Sequence, residues 1–299
     1  RQKHLLGTKD FSRSEILQVL AVTQALEKSP PGPLLKGKKV FNFFVEPSTR
    51  TKMSFGIAAR ALGADVLDFS PGNSSLTKGE SLKDTARTIE SMGVEFAVVR
   101  HPASGAPRFL SERLDASILN AGDGTHEHPT QALLDLFTIE EALGRTTGLK
   151  ILLVGDIAHS RVARSNLWIH RILENDVTVV GPSTMIPREI QELGARVSYN
   201  LDAELPKHDV IMMLRLQLER QQAGLLPSPI EYTQLFGLTR ERLPLLKKNA
   251  IIMHPGPMNR GLEISAEAAD SPHSVILDQV ANGVLIRQAL LLLLSEARR

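Results

Sequence analysis

The run Phe43-Phe44-Val45-Glu46-Pro47-Ser48-Thr49-Arg50-Thr51 joins an apolar stretch to a proline, then to three hydroxyls and a guanidinium. If a strand stops near Pro47 and a helix opens at Ser48, the first-turn N–H groups have no intrahelical partner and the helix dipole favours an anion. Ser48, Thr49, Arg50 and Thr51 then crowd side-chain donors around the same point. The chemistry this suits is the binding of a phosphate. Capping by Ser48, with Arg50 in solvent, would explain one hydroxyl only.

Other segments repeat the pattern of an apolar run followed by polar residues. Arg100-His101-Pro102 adds a second guanidinium, and Gly122-Asp123-Gly124-Thr125-His126-Glu127-His128-Pro129-Thr130-Gln131 precedes a helix-like stretch. His126 and His128 invite a metal reading, but no third ligand is evident and none is expected to bind. We read His128, held extended by Pro129, as donating hydrogen bonds into a cleft together with Gln131. Asp156-Ile157-Ala158-His159-Ser160-Arg161 and Arg215-Leu216-Gln217 bring two more guanidinium groups, which suit a substrate with two carboxylates. Glu219 and Arg220 are read as a solvated pair. Lys78 lies in the polar stretch Asn73-Ser74-Ser75-Leu76-Thr77-Lys78, and by itself would be an exposed lysine. His254-Pro255-Gly256-Pro257 makes a stiff turn able to present backbone carbonyls. Gly32 to Lys39 imitates a phosphate-binding loop, but Lys39 stands where a hydroxyl should hold magnesium, and the segment precedes a strand where such a loop must follow one.

Such residues act together only if strand ends and helix starts place them. Apolar runs at 40–45, 64–69, 95–100, 117–120, 150–155, 177–180, 209–214 and 250–253 read as buried strands. Segments 50–62, 81–92, 130–143, 161–173, 187–193 and 276–299 read as helices. Alternation of this kind predicts an α/β protein built of βαβ units, with two domains, each a mostly parallel sheet flanked by helices. The helix over 130–143, stopped by Gly144, is expected to join the two sheets, and the apolar C-terminal helix to pack back on the first domain. The expected domains are 1–130 plus 280–299, and 131–279. Segments 70–81 and 217–236 read as loops, the second long enough to close over a cleft. Chemistry is expected on the loops after the carboxyl ends of strands.

Composition agrees with an ordinary globular enzyme. The 299 residues carry 35 Lys and Arg against 33 Asp and Glu, a formal charge of +2, with 17 basic and 14 acidic residues up to position 130 and 18 and 19 beyond it. Neither part is a basic arm, so neither nucleic acid nor an anionic membrane is an expected partner. The absence of cysteine excludes disulfides, Cys-ligated metals and thiol catalysis. The longest purely apolar run, Ala289 to Leu294, is short for a membrane span, and a cytoplasmic location is expected.

Taken together, Ser48-Thr49-Arg50-Thr51, His128-Pro129-Thr130-Gln131, Arg215-Leu216-Gln217 and His254-Pro255-Gly256-Pro257 resemble the aspartate carbamoyltransferase catalytic chain in order, spacing and placement, from about Leu5 to the last helix. The resemblance implies one domain for carbamoyl phosphate and one for aspartate, and a homotrimer whose active sites lie between neighbouring chains. It implies that Ser48, Thr49, Arg50 and Thr51 hold the phosphate, and that Thr51, Arg100 and His128 reach the carbamoyl oxygen. Gln131 and the backbone at Gly256 and Pro257 would hold the amino group. Lys78, with Ser74 or Ser75, would come from the adjacent subunit, and Arg161, Arg215 and Gln217 would bind the aspartate carboxylates. Arg50, Thr51, Arg100 and His128 are thus the expected catalytic residues. No cofactor is implied, while regulatory chains or dihydroorotase are possible companions. Some members have Leu where Gly256 stands, so only a backbone role carries over there. The sister ornithine enzyme typically has a Cys in the last motif, which this chain lacks. Ser91-Met92-Gly93 is similar to an ornithine-type motif but reads better as a helix end at Gly93. The expected reaction is direct attack of the aspartate amine on the carbamoyl carbon, an early step of pyrimidine synthesis. The alternatives are another amine, such as ornithine, or a silent anion-binding scaffold.

Overall fold

A computed structural model of the chain describes residues 3–69, 80–216 and 228–298. Two compact units emerge, one made of residues 1–133 with 281–299 and the other of 134–280.

The first unit holds a four-stranded parallel sheet in the order β2-β1-β3-β4, formed by β1 (Lys39–Phe44), β2 (Asp65–Asp68), β3 (Phe96–His101) and β4 (Ser117–Asp123). β1 and β4 are almost wholly buried, as strands covered on both faces must be, whereas β2 is a mostly exposed edge. Phe69 meets the stacked rings of Phe41 and Phe43 edge-on within the core, with Val99, Leu110 and Ile118 in the same cluster. Helices α1 (Arg13–Lys28), α2 (Thr49–Ala61), α3 (Leu82–Ser91) and α4 (Ala106–Ser111) belong to this unit. α1 begins with a complete capping box between Ser12 and Glu15. α3 ends at Met92, and Gly93 takes the left-handed conformation expected of it.

The second unit has a five-stranded parallel sheet in the order β7-β6-β5-β8-β9. Its strands are β5 (Lys150–Val154), β6 (Asp176–Val180), β7 (Arg196–Ser198), β8 (Val210–Met213) and β9 (Ile251–Met253). Leu152, Val154, Ile211 and Met213 point into one apolar cluster, while Ile151, Leu153, Val210 and Met212 point into another, as the period of two requires. The helices here are α6 (Arg161–Ile172), α7 (Leu201–Glu204), α8 (Pro229–Phe236) and α9 (Ala266–Ala269). Two expectations need correction. Residues 187–193 form a 3₁₀ run, Arg188–Leu193, between Pro187 and the left-handed Gly194. Within the expected loop 217–236, Pro229–Phe236 is a helix capped by Ser228.

α5 (Pro129–Leu143) and α10 (Ile276–Ala297) each run from one unit into the other. α10 is long and apolar enough to cross a membrane by length and composition, which the short run Ala289 to Leu294 had not suggested. Its residues Ile286, Ala289, Leu290, Leu291 and Leu294 are instead buried in protein. Within the first unit Arg287 donates to Ser54 Oγ at 2.7 Å and lies over the Phe55 ring, so the last helix braces α2.

His170 on α6 is fully buried, with Nδ1 3.1 Å from the Asn175 amide and Nε2 without a partner among the described residues. Burial pushes its pKa down from 6.5 to about 4. The unfolded chain therefore binds a proton that the folded one refuses. The stability contributed is complete above pH 6.5 and is lost as pH falls from there towards about 4. At about 1.4 kcal/mol per pH unit, the loss across that window reaches roughly 3 kcal/mol. His4, His101 and His208 are shifted the same way, first of all by burial. Urea titrations at pH 7 and pH 4.5 should show the fall, and His170→Leu should shrink it; an unchanged difference would contradict the assignment.

Candidate active site

In each sheet the strand order reverses at one place, between β1 and β3 in the first unit and between β5 and β8 in the second. In an open α/β sheet, the carboxyl ends of strands flanking such a reversal are where ligands bind. Arg50, Arg161 and Arg215 follow three of these strands, and Arg100 is the penultimate residue of the fourth, β3.

In the first unit, β1 ends at Phe44, and α2 starts after Pro47 with Ser48 in the N-cap position. Ser48 is extended there, but its hydroxyl makes no capping hydrogen bond, and the first turn carries no acidic residue. The simple capping reading of Ser48 is thereby set aside, and the helix start keeps its attraction for an anion. Thr49 and Arg50 are exposed at this end, with Ser48 and Thr51 half-buried.

The neighbouring β3 is tied to β1 by the Val45 N–H, which donates to the Arg100 carbonyl at 2.9 Å. The Arg100 guanidinium donates to Glu46 Oε1 at 3.1 Å and to the Ala121 carbonyl at 3.2 Å. Both ion-pair partners are mostly buried. Clustered cations at this edge thus have a protein carboxylate among them as well as any ligand. Glu46 was visible in the motif but carried no expectation; its place between an apolar strand and Pro47 was the available signal.

β4 pairs with β3 through a register shift, Val99 facing Asn120 and His101 facing Asp123. The irregularity turns the next loop aside, as bulges beside sites do. Asp123 organises that loop by accepting from Gly105 N–H at 2.7 Å, Asn120 Nδ2 at 2.9 Å and Glu127 N–H at 3.1 Å. Burial pushes its carboxyl up, but these bonds and His126 together hold it below the usual carboxylate range. Gly124, at φ +48°, has no room for a side chain, since a Cβ would meet Ser104 Oγ at 2.4 Å. Glu127 is buried and accepts from the Thr8 N–H at 2.6 Å. His126 turns to Asp123, Nδ1 to Oδ2 at 3.1 Å, and is half-exposed, while His128 is buried ahead of α5. The two rings therefore occupy different surroundings. Gln131, also buried, lies in the first turn of α5.

In the second unit the loop after β5 is held by the buried Asp156, which accepts from the His159 N–H at 3.1 Å and meets its Nδ1 at 2.9 Å. Ser160 caps α6 through Ala163 N–H, and Arg161 is the first residue of that helix, with its side chain buried. β8 leads through the buried Leu214 to Arg215, which is half-buried. Gly155, between the two, sits at φ +130°, where a Cβ would press on the Leu214 carbonyl and the Tyr232 hydroxyl, both at 3.1 Å. That phenol, from α8, is pushed up by burial and then by the Glu263 and Asp156 carboxylates.

β9 ends in the turn of His254, Pro255, Gly256 and Pro257, where Gly256 has φ 62° and Pro257 is exposed. Lys78, Ser74, Ser75, Gln217 and the Glu219–Arg220 pair lie outside the described residues. Motif reading also passed over Glu263, Asp135, Gln279 and Asn166, whose hydrogen bonds are considered below. Among the described residues, no group of three metal-ligating side chains occurs.

Comparison with known proteins adds independent findings. Residues 3–141 match the family model described as aspartate/ornithine carbamoyltransferase, carbamoyl-P binding domain, and residues 147–294 match the Asp/Orn binding domain. The aspartate carbamoyltransferase catalytic subunit of Halothermothrix orenii is 53% identical over 300 residues, covering 99% of this chain and 96% of that protein. The crystal structure of Trypanosoma cruzi aspartate transcarbamoylase with N-(phosphonacetyl)-L-aspartic acid superposes with a TM-score of 0.88 at 32% identity, covering 96% of this chain and 94% of that one. Ornithine carbamoyltransferase of Thermus thermophilus gives the same TM-score at 24% identity, covering 98% and 99%, a likeness of fold alone.

Proposed function

Since this chain belongs to the aspartate/ornithine carbamoyltransferase family, we propose that it transfers the carbamoyl group of carbamoyl phosphate to the amine of L-aspartate, yielding N-carbamoyl-L-aspartate and phosphate. In the cell this would be an early step of pyrimidine synthesis. The observation that carries the choice of amine is the pair of guanidinium groups at the strand reversal of the second sheet, Arg161 after β5 and Arg215 after β8. Two such forks match two carboxylates. Ornithine would instead bring an ammonium group towards them. The fold alone does not separate the two substrates, because the ornithine enzyme shares it.

In this reading the start of α2 takes the phosphate through Ser48, Thr49, Arg50 and Thr51. Thr51, Arg100 and His128 donate to the carbamoyl oxygen, while Gln131 and the backbone at Gly256 and Pro257 receive the amino group. The aspartate nitrogen attacks the carbamoyl carbon, the bond from that carbon to the phosphate oxygen breaks, and the departing phosphate takes the amine proton. As charge grows on the carbonyl oxygen, its three donors stabilise it, and removal of one such donor commonly costs about 10²- to 10³-fold in rate. No protein nucleophile is required.

Aspartate is assigned to Arg161, Arg215, Gln217 and Lys78, the last with Ser75 from a neighbouring subunit of a homotrimer. Support for self-association comes from Met53 and Ile57, exposed four residues apart on α2, and from Leu67, exposed on the edge strand β2. Regulatory chains or dihydroorotase as companions, and a cytoplasmic location, belong to the same proposal.

Turnover of carbamoyl phosphate by the purified chain, with aspartate and with ornithine as acceptors, tests the reading. Carbamoyl-aspartate should form at least about 10²-fold faster than citrulline, the discrimination expected when buried charged groups are left unmatched. Equal rates, or turnover with ornithine alone, would overturn the choice of amine.

A further inference from the structure

The turn assigned to the carbamoyl amino group, stiffened by Pro255 and Pro257, is also tied down through His254. That ring is fully buried, and its Nδ1 lies 2.8 Å from the Gly256 N–H. An amide N–H can only donate, so Nδ1 is the acceptor and the ring proton sits on Nε2. Nε2 in turn donates to Glu263 Oε1 at 3.2 Å. The same carboxylate oxygen accepts the Asn259 N–H at 2.6 Å, just past the turn. The other oxygen, Glu263 Oε2, is buried without a partner among the described residues.

The opposite side of the turn is held as well. The His254 N–H donates to Gln279 Oε1 at 2.9 Å, and Gln279 Nε2 donates to Asp135 Oδ1 at 2.7 Å. Asp135 Oδ2 accepts from Asn166 on α6 at 2.9 Å. Asn259 Nδ2 reaches the Leu216 carbonyl at 3.3 Å, next to Arg215. Asp135 is one turn along α5 from Gln131, and α6 begins at Arg161. A set of hydrogen bonds, four of them buried, therefore connects the turn with the elements that carry three of the proposed ligand-binding side chains.

We propose that Glu263 is a positioning residue for the carbamoyl half of the reaction, fixing the His254 proton on Nε2 and thereby the direction of the backbone carbonyls of Gly256 and Pro257. This rests on the reading that those carbonyls receive the carbamoyl amino group. Glu263 itself touches no reactant. It accepts from the buried imidazole N–H and from the part-buried Asn259 N–H. Without it the ring loses its reason to keep that tautomer, and the Gly256 N–H loses its acceptor.

The test compares two ligands by calorimetry on the whole chain. Inorganic phosphate reports the α2 end alone, whereas carbamoyl phosphate also needs the turn. Glu263→Leu should weaken carbamoyl phosphate by about 10- to 100-fold, the usual consequence of leaving buried donors unmatched, and lower kcat, while phosphate affinity and the KM for aspartate stay within about twofold. Glu263→Gln keeps an acceptor oxygen for both donors and should restore most of the loss. Should Glu263→Leu fail to fold, His254→Phe removes both ring nitrogens, keeps the bulk, and carries the same expectation. Unchanged carbamoyl phosphate binding in the soluble variant, or equal weakening of both ligands, would overturn the proposal. If the wild-type chain bound phosphate but not carbamoyl phosphate, the functional reading itself would fall instead.

Discussion

Arg50→Ala should lower kcat/KM by about 10²- to 10³-fold, the scale set by loss of one preorganised donor to developing charge, and should abolish measurable binding of inorganic phosphate. Arg50 stands in the exposed first turn of α2, so its removal costs no packing and the melting temperature should hardly move. The effect comes from the surroundings. The first turn of α2 carries no acidic residue, and the Ser48 hydroxyl makes no capping hydrogen bond. Arg50→Lys restores the charge but not the planar fork, and should recover only part of the activity. Steady-state kinetics and phosphate calorimetry on the three proteins decide it. Activity within tenfold of wild type in Arg50→Ala would remove the phosphate from this helix.

Arg215→Ala should act on the other reactant. The KM for aspartate is expected to rise about 10- to 10²-fold, since hydrogen bonds to charged groups contribute about 1.5–3 kcal/mol and about 1.4 kcal/mol is tenfold, while carbamoyl phosphate binding is unaffected. Loss of an interaction present in both the ground state and the transition state raises KM and leaves kcat nearly alone. A fall in kcat at unchanged KM would instead move Arg215 from binding to the chemical step. Its half-buried position just beyond β8 makes the substitution tolerable to the fold.

Elements with strong local signals were legible before any coordinates. Pro47 between an apolar strand and a run of hydroxyls marked the β1–α2 junction, and Gly93 and Gly144 marked helix ends where both residues do take positive φ. β7 was not visible, because its three residues, Arg196–Ser198, form a sheet edge with no apolar run. α8 was read as loop from its Gln, Pro and Ser content, although Ser228 followed by Pro229 and Glu231 is a start signal that the structure uses. α1 was also passed over, although Ser12 followed by Glu15 is the capping box with which it starts.

The site divides in the same way. Arg50, Arg161 and Arg215 follow strand ends and Arg100 is the penultimate residue of β3, positions that the alternation of apolar runs and polar segments made legible. Glu46, Asp135 and Gln279 act through partners distant in sequence; Gln279 and Asp135 are 144 positions apart. Such contacts are set by tertiary packing, which leaves no period or spacing in the chain to read. Capping by Ser48, the alternative to an anion site, is not what the structure shows, since its hydroxyl makes no capping hydrogen bond.

The central claim is that the α2 start grips the phosphorylated donor while Arg161 and Arg215 grip the diacid. A crystal structure with N-(phosphonacetyl)-L-aspartic acid tests it most directly, because one molecule carries both groups. The phosphonate should lie within hydrogen-bonding distance of Ser48, Thr49, Arg50 and Thr51, and the two carboxylates on the guanidinium groups of Arg161 and Arg215. A phosphonate bound elsewhere, or either arginine directed away from the carboxylates, would contradict the account.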